Sequence, residues 1–287
     1  MFNIYNAILA AGFAVFVVLD WLMPARRFYR PRLWWLTGFL SATLYFAVAS
    51  YAPFLWADWM AGNRLIDASG LPLGLAVPLG YGTAQLIGYW WHRSLHRSDF
   101  LWRTLHQMHH AAERMDIYGA LYFHPLDMVG FTFVGSFAMT VLVGLDPFAA
   151  ALAGVLAGLV SLFSHANLAT PRWLGYLIAR PEVHALHHER GRHARNYGEL
   201  MVWDMLFGTY ANPQRFDSKV GFYDGASTRL GDLLLGRDVS QAETRARPRD
   251  GLAVRLRRLS WQATVGAYIL VLALSATALG LALSAVA

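Results

Sequence analysis

Eleven histidines occur in this 287-residue chain, and most of them are clustered: His92-Arg-Ser-Leu-His96, His106-Gln-Met-His109-His110 and His184-Ala-Leu-His187-His188, with His124, His165 and His193 standing alone. Residues three or four apart on a helix share one side. His92 and His96 therefore point together, and each triplet presents a face of three imidazoles. Two triplets and a pair offer more nitrogens than one tetrahedral zinc can use. They suit two first-row metals, and iron is the one that activates oxygen with such ligands. The chain has no cysteine, which excludes disulfides, thiolate sites and iron–sulfur clusters. Any metal must be held by His, Asp, Glu or Asn. A single H-x-x-x-H carries little information and a single H-x-x-H-H more; the constellation is the specific signal.

The elements that must position these imidazoles are apolar. Only 15% of the residues are charged, against about 25% in a soluble domain. Six stretches approach the length of a bilayer-spanning helix, near 3–23, 34–56, 71–91, 128–145, 148–165 and 263–285. The fourth and fifth are separated only by Leu145-Asp146-Pro147, which predicts a tight hairpin of two short spans or a re-entrant one. The first runs into Pro24-Ala25-Arg26-Arg27 without a basic leader, so it reads as a retained span. Alternating the six spans leaves all of the 24 Lys and Arg except Arg64 on one side, the cytoplasmic one by the positive-inside rule. Both termini then face outward, and the histidines all lie in or at the ends of the segments 92–127 and 166–262. This placing of charge argues against a nucleic-acid partner despite a net charge of +6. The arginine cluster at 237–258 reads as a positive-inside stop before the last span, with a dock for an acidic redox partner as the alternative.

The order H-x3-H, H-x2-H-H, H-x2-H-H resembles the fatty acid hydroxylase and sterol desaturase superfamily of membrane di-iron enzymes. Supporting phrases are Glu113-Arg-Met, Phe123-His124-Pro125, Ser164-His165-Ala-Asn167 and Asn196-Tyr197-Gly198, followed by Trp203-Asp204 and Phe207-Gly208-Thr209-Tyr210; they are similar to the bacterial branch. The resemblance covers about 85–210. It implies a helical fold with a di-iron core at 85–210 under a cytoplasmic cap; with the six apolar stretches this predicts an all-α polytopic membrane protein, 1–287 forming one membrane domain, with a tail segment at 211–262 before the last span. It also implies an inner-membrane enzyme that hydroxylates or desaturates a lipid with O2 and two electrons from a separate ferredoxin- or cytochrome-type donor. Carried over by position, the metal ligands are His92, His96, His106, His109, His110, His165, His184, His187 and His188. Some members have a further histidine where this chain has Ala169, which leaves Asn167, His193, His124 or water to complete the shell.

The remaining residues keep two readings each. His124, before Pro125, suits a capping role as well as ligation. Glu113, Asp127, Glu189 and Asp204 are candidates to hold imidazole N–H groups. Gly80, Gly82 and Gly88 leave room for an apolar channel or for close helix packing. A metal transporter is the competing function, but transport sites lie near the bilayer midplane, and these histidines gather at one surface.

Overall fold

The computed structural model describes residues 4–242. Among these, every regular element is helical, with two isolated antiparallel bridges, Ile178 to Leu200 and Glu189 to Val220. The long apolar runs form helices α1 (Ile4–Leu22), α2 (Trp34–Tyr51, continued by a 3-10 turn to Leu55) and α3 (Leu73–Arg97). A single turn, α4 (Gln107–His110), precedes α5 (Pro125–Phe137, continued by a π turn to Leu142) and α6 (Pro147–His165). Two short helices, α7 (Pro181–His187) and α8 (Met201–Leu206), complete the frame around the histidines.

Four of these stretches, Ile4–Leu22, Trp34–Leu55, Pro125–Leu142 and Pro147–His165, are long and apolar enough to cross a bilayer. Helix α3, with 25 residues, also has the length, roughly 37 Å at 1.5 Å per residue. Its glycines, Pro78 and Gln85 dilute its apolar character, and its last two turns carry His92, Arg93, His96 and Arg97. The five helices correspond to the first five expected spans. The sixth, 263–285, and most of the 237–258 arginine cluster lie outside the described residues.

A turn joins α5 to α6, but the two helices do not pack on each other as a tight hairpin would, and both lie against α3 instead. Pro147 opens α6, and the Asp146 carboxylate accepts from the Phe148 N–H at 2.9 Å, satisfying one of the free donors of a helix start. Gly144 has φ +66°, and a Cβ there would lie 1.9 Å from the Ile66 carbonyl oxygen. Helix α6 packs most extensively on α3 and α1. Small residues allow the approach: a Cβ on Gly80 of α3 would sit 2.4 Å from Leu145 and 3.4 Å from Ala153. Gly80 is therefore a packing glycine, whereas Gly82 and Gly88 have open space beside them.

The C-terminal ends of α1, α3 and α6 and the N-terminal ends of α2 and α5 carry the connections that build a cap from 98–124 and 166–242. The cap is tied down by buried polar groups. Glu113 accepts from the N–H groups of Gly225 and Ser227 at 2.8 and 3.1 Å and from the Ser227 hydroxyl at 2.6 Å. Arg180, fully buried, donates to Asn212 and to the carbonyls of Thr170 and Pro213. Trp34 at the start of α2 donates to Asp116 at 2.9 Å.

Candidate metal centre

The nine candidate histidines come together in two adjoining groups. His92, His96, His106, His110 and His187 form one; His109, His165, His184 and His188 form the other, with the nitrogens of each group within 4.8 Å of one another. The groups touch where the His110 and His188 rings stack at 4.1 Å. Each triplet is divided between them. His106 and His110 go to the first group and His109 to the second; His184 and His188 go to the second and His187 to the first. Helix geometry accounts for the split, because successive residues are about 100° apart around the axis, so the last two histidines of H-x-x-H-H diverge. A π turn over Trp102–His106 sets the first histidine of its triplet. Turns of this kind recur at functional sites.

Hydrogen bonds fix several tautomers. The Nδ1–H of His92 donates to the Tyr197 carbonyl at 2.7 Å, that of His187 to the Arg195 carbonyl at 2.6 Å and that of His165 to the Ser161 carbonyl at 2.9 Å. The Nδ1–H of His106 donates to the Asp127 carboxylate at 2.7 Å. A ring that donates through Nδ1 presents a bare lone pair at Nε2. The consequence is unusual. Nε2 of His92 and Nε2 of His106 face each other at 2.9 Å, buried, with both protons committed elsewhere. His110 and His187 meet through Nε2 at 3.1 Å, His109 and His165 at 3.1 Å, and His184 and His165 at 3.0 Å. The two bare lone pairs of His92 and His106 repel unless a cation lies between them, whereas in the other three contacts one ring can still donate from Nε2. With metal–nitrogen bonds of about 2.1 Å, ligands at right angles around one ion sit about 3.0 Å apart. The donor set therefore fits two metal ions.

Burial holds His106, His109, His110, His184, His187 and His188 well below the ordinary imidazole range, and neighbouring imidazoles add to the effect. Neutral rings are the form that binds metal. The pocket is buried and aromatic: Phe123 stacks on His109 at 4.0 Å, and Trp102 lies 5.0 Å from His96 and 5.1 Å from His110.

The other candidates are placed elsewhere. His124 caps α5, accepting from the Leu126 N–H at Nδ1 and donating from Nε2 to the Leu234 carbonyl at 3.3 Å. Asn167 turns away from the metal groups and holds the backbone of Arg26 from both sides. His193 stands over the first group, 4.8 Å from the His110 ring, without joining it. Ala169 is exposed and outside both groups. Of the four carboxylates, Asp127 holds an imidazole. Asp204 acts one step removed, accepting from the N–H groups of Tyr197 and Gly198 at 2.8 and 2.7 Å, so it fixes the loop whose carbonyl receives His92. Glu113 serves the cap, and Glu189 faces Arg192 at 3.9 Å. Trp102, Phe123 and the three backbone acceptors were not among the expected site groups; a carbonyl acceptor has no residue-type signature.

Residues 77–209 match the fatty acid hydroxylase family. The chain is 30% identical over 148 residues to the ornithine lipid hydroxylase OlsE of Rhizobium tropici, covering 50% of this chain and 44% of that protein. It is 26% identical over 126 residues to sphinganine C4-monooxygenase 1 of Arabidopsis thaliana, covering 42% and 48%. With the alkylglycerol monooxygenase of Homo sapiens it shares 28% identity over 164 residues, 55% of this chain and 34% of that one. The chain thus spans about half the length, or less, of these curated relatives. No solved structure is significantly similar to it.

Proposed function

With residues 77–209 of fatty acid hydroxylase type, we propose that this chain is a membrane-bound oxygenase that hydroxylates or desaturates a lipid with O2 and two electrons. The observation that carries the reading is the opposed, buried Nε2 pair of His92 and His106 at 2.9 Å, with a second gathering of four imidazoles at His109, His165, His184 and His188. In this reading all nine grouped histidines are ligands, five to one metal and four to the other. The metals are iron, which supplies the oxygen activation that organic side chains cannot.

The chain's own residues do the rest. Asp127 and the carbonyls of Tyr197, Arg195 and Ser161 keep protons on Nδ1 of their histidines and aim Nε2 inward. Phe123 and Trp102 exclude water from the imidazoles. The groups lie at the ends of α3 and α6, where a lipid held with its head in the interface can place a chain carbon beside them. The metal side faces the cytoplasm of an inner membrane, where a ferredoxin- or cytochrome-type donor reaches the cap, and the chemistry is confined to 85–210.

Purified protein should hold two irons per chain and consume O2 only when lipid and a reductant are supplied. Comparing the lipids of cells with and without the gene identifies the product. One metal or none per folded chain, or lipid-independent O2 uptake, refutes the proposal.

A further inference from the structure

Arg26 lies four residues beyond α1, where the chain leaves the apolar bundle, and its backbone is clamped. The Asn167 side chain accepts from the Arg26 N–H at 3.1 Å and donates to the Arg26 carbonyl at 2.8 Å. Asn167 is itself fixed, its N–H donating to Asp20 at 2.6 Å and its carbonyl accepting from Ala25 at 2.7 Å. It is 3% exposed and only two residues past His165. A buried amide devoted to the backbone of one arginine is more than an ordinary interfacial charge requires.

The guanidinium is equally confined. It lies 5.2 Å from the Phe28 ring centre and 4.9 Å from that of Phe216, and Nη1 donates to the Phe216 carbonyl at 3.0 Å. Nη2 is buried and has no partner among the described residues, and the same is true of Nε on Arg190. Both arginines line one cavity of about 410 Å³, edged by Arg27 and Lys219. Three carboxylates share the cavity. Glu113 is turned onto Gly225 and Ser227, and Asp224 pairs with Arg190 at 3.1 Å. Asp217 remains. Four cations against three carboxylates leave one positive charge, with two buried N–H donors unmet. Burial works against the charge on Arg26, and the carboxylates of Glu182 and Asp217 only offset this.

We infer that this cavity takes the singly charged oxyanion of a lipid head group, a phosphodiester or a carboxylate, and presents that lipid to the histidine groups through the Arg26–Asn167–His165 link. A guanidinium fork suits either oxyanion. The presenting role rests on the lipid-oxygenase reading; the binding does not.

The test is binding of sub-micellar dihexanoyl-phosphatidylglycerol to the purified full-length protein in neutral detergent, with dihexanoylglycerol, an N-acylglycine and inorganic phosphate as comparisons. The phosphatidylglycerol or the acylglycine should bind at least about tenfold more tightly to wild type than to Arg26→Gln, a guanidinium contact being a charge-assisted one. Lys219→Gln, at an exposed position, should weaken binding about threefold and confirms the site if Arg26→Gln does not fold. Asn167→Ala should weaken binding with metal content unchanged. Equal affinity in wild type and Lys219→Gln together with Arg26→Gln, or equal binding of dihexanoylglycerol, overturns the inference. Inorganic phosphate bound as tightly as the lipid overturns the lipid source and leaves a soluble-anion site. His187→Ala should keep the lipid affinity, so a failed metal assignment and a failed head-group site give different results.

Discussion

Asp127 and His106, 21 residues apart in sequence, meet through a 2.7 Å contact between carboxylate and Nδ1, with both side chains almost fully buried. The pair joins the first turn of α5 to the π turn ahead of α4, so a residue of the bundle fixes the tautomer of one in the cap. Asp127→Ala should lower metal affinity about 10- to 100-fold, the usual effect of removing such a partner. Metal retained per folded chain after a graded chelator challenge measures this. Retention equal to wild type would show that Asp127 does not support His106.

His165 and Asn167 should separate cleanly. His165→Ala removes one of four nitrogens from the second group and should lose about half the bound metal and nearly all turnover. Asn167→Ala should leave metal stoichiometry intact, because its side chain is bonded to Arg26. Metal analysis of the two purified variants decides; loss of metal in Asn167→Ala would return it to the ligand set.

Glu199 gives the fold a pH dependence. It accepts from Gln85 of α3 at 3.0 Å, and burial pushes its carboxyl from 4.5 up to about 7, only partly opposed by Ser161 and Gln85. The folded chain then holds this proton more tightly than the unfolded one. Its contribution is full below the unfolded value and is lost as pH rises through about 7, by at most on the order of 3 kcal/mol. Melting of wild type should therefore fall more between about pH 5 and about pH 8 than that of Glu199→Gln. Parallel curves would rule the effect out.

Arg180 is the strongest stability site. Its pairing with Glu182 at 2.7 Å, with 0% and 10% of the two side chains exposed, and its bonds to Asn212 and Thr170 lock the entry to α7. Arg180→Met should destabilise by about 3–5 kcal/mol, the range for breaking a buried pair from one side. Denaturant unfolding in detergent checks it, and a change below about 1 kcal/mol would mean that the pair behaves as an exposed one.

The spans and the histidine pattern were legible in the sequence because each depends on local periodicity. Long apolar runs became α1, α2, α5 and α6, and all nine histidines expected to bind metal lie in the two groups. The divergence of the last two histidines in each triplet follows from helix spacing, but which histidines of the two triplets share a group was not legible. It requires α4 and α7 to face one another, which no spacing within either element reveals. Asn167 was one of four alternatives for the position that Ala169 leaves open, yet its amide is engaged by a backbone 141 residues earlier. His124 resolves as a cap because Pro125 starts the helix there, a signal that is local.

The first metal group draws on α3, the 102–110 segment and α7, and the second on 109, α6 and α7. On the proposed function, insertion into the bilayer and loading with iron are therefore separable events in the life of the chain. A chain whose helices have all inserted would still carry the opposed lone pairs of His92 and His106 until ions arrive. Iron supply should then set the cellular half-life of the protein, with iron-starved cells degrading it from the cap inward while its spans remain anchored. Pulse-chase turnover in iron-replete and iron-depleted cells, with His187→Ala as a reference impaired in the first group, reads that directly; equal half-lives would uncouple assembly from metal.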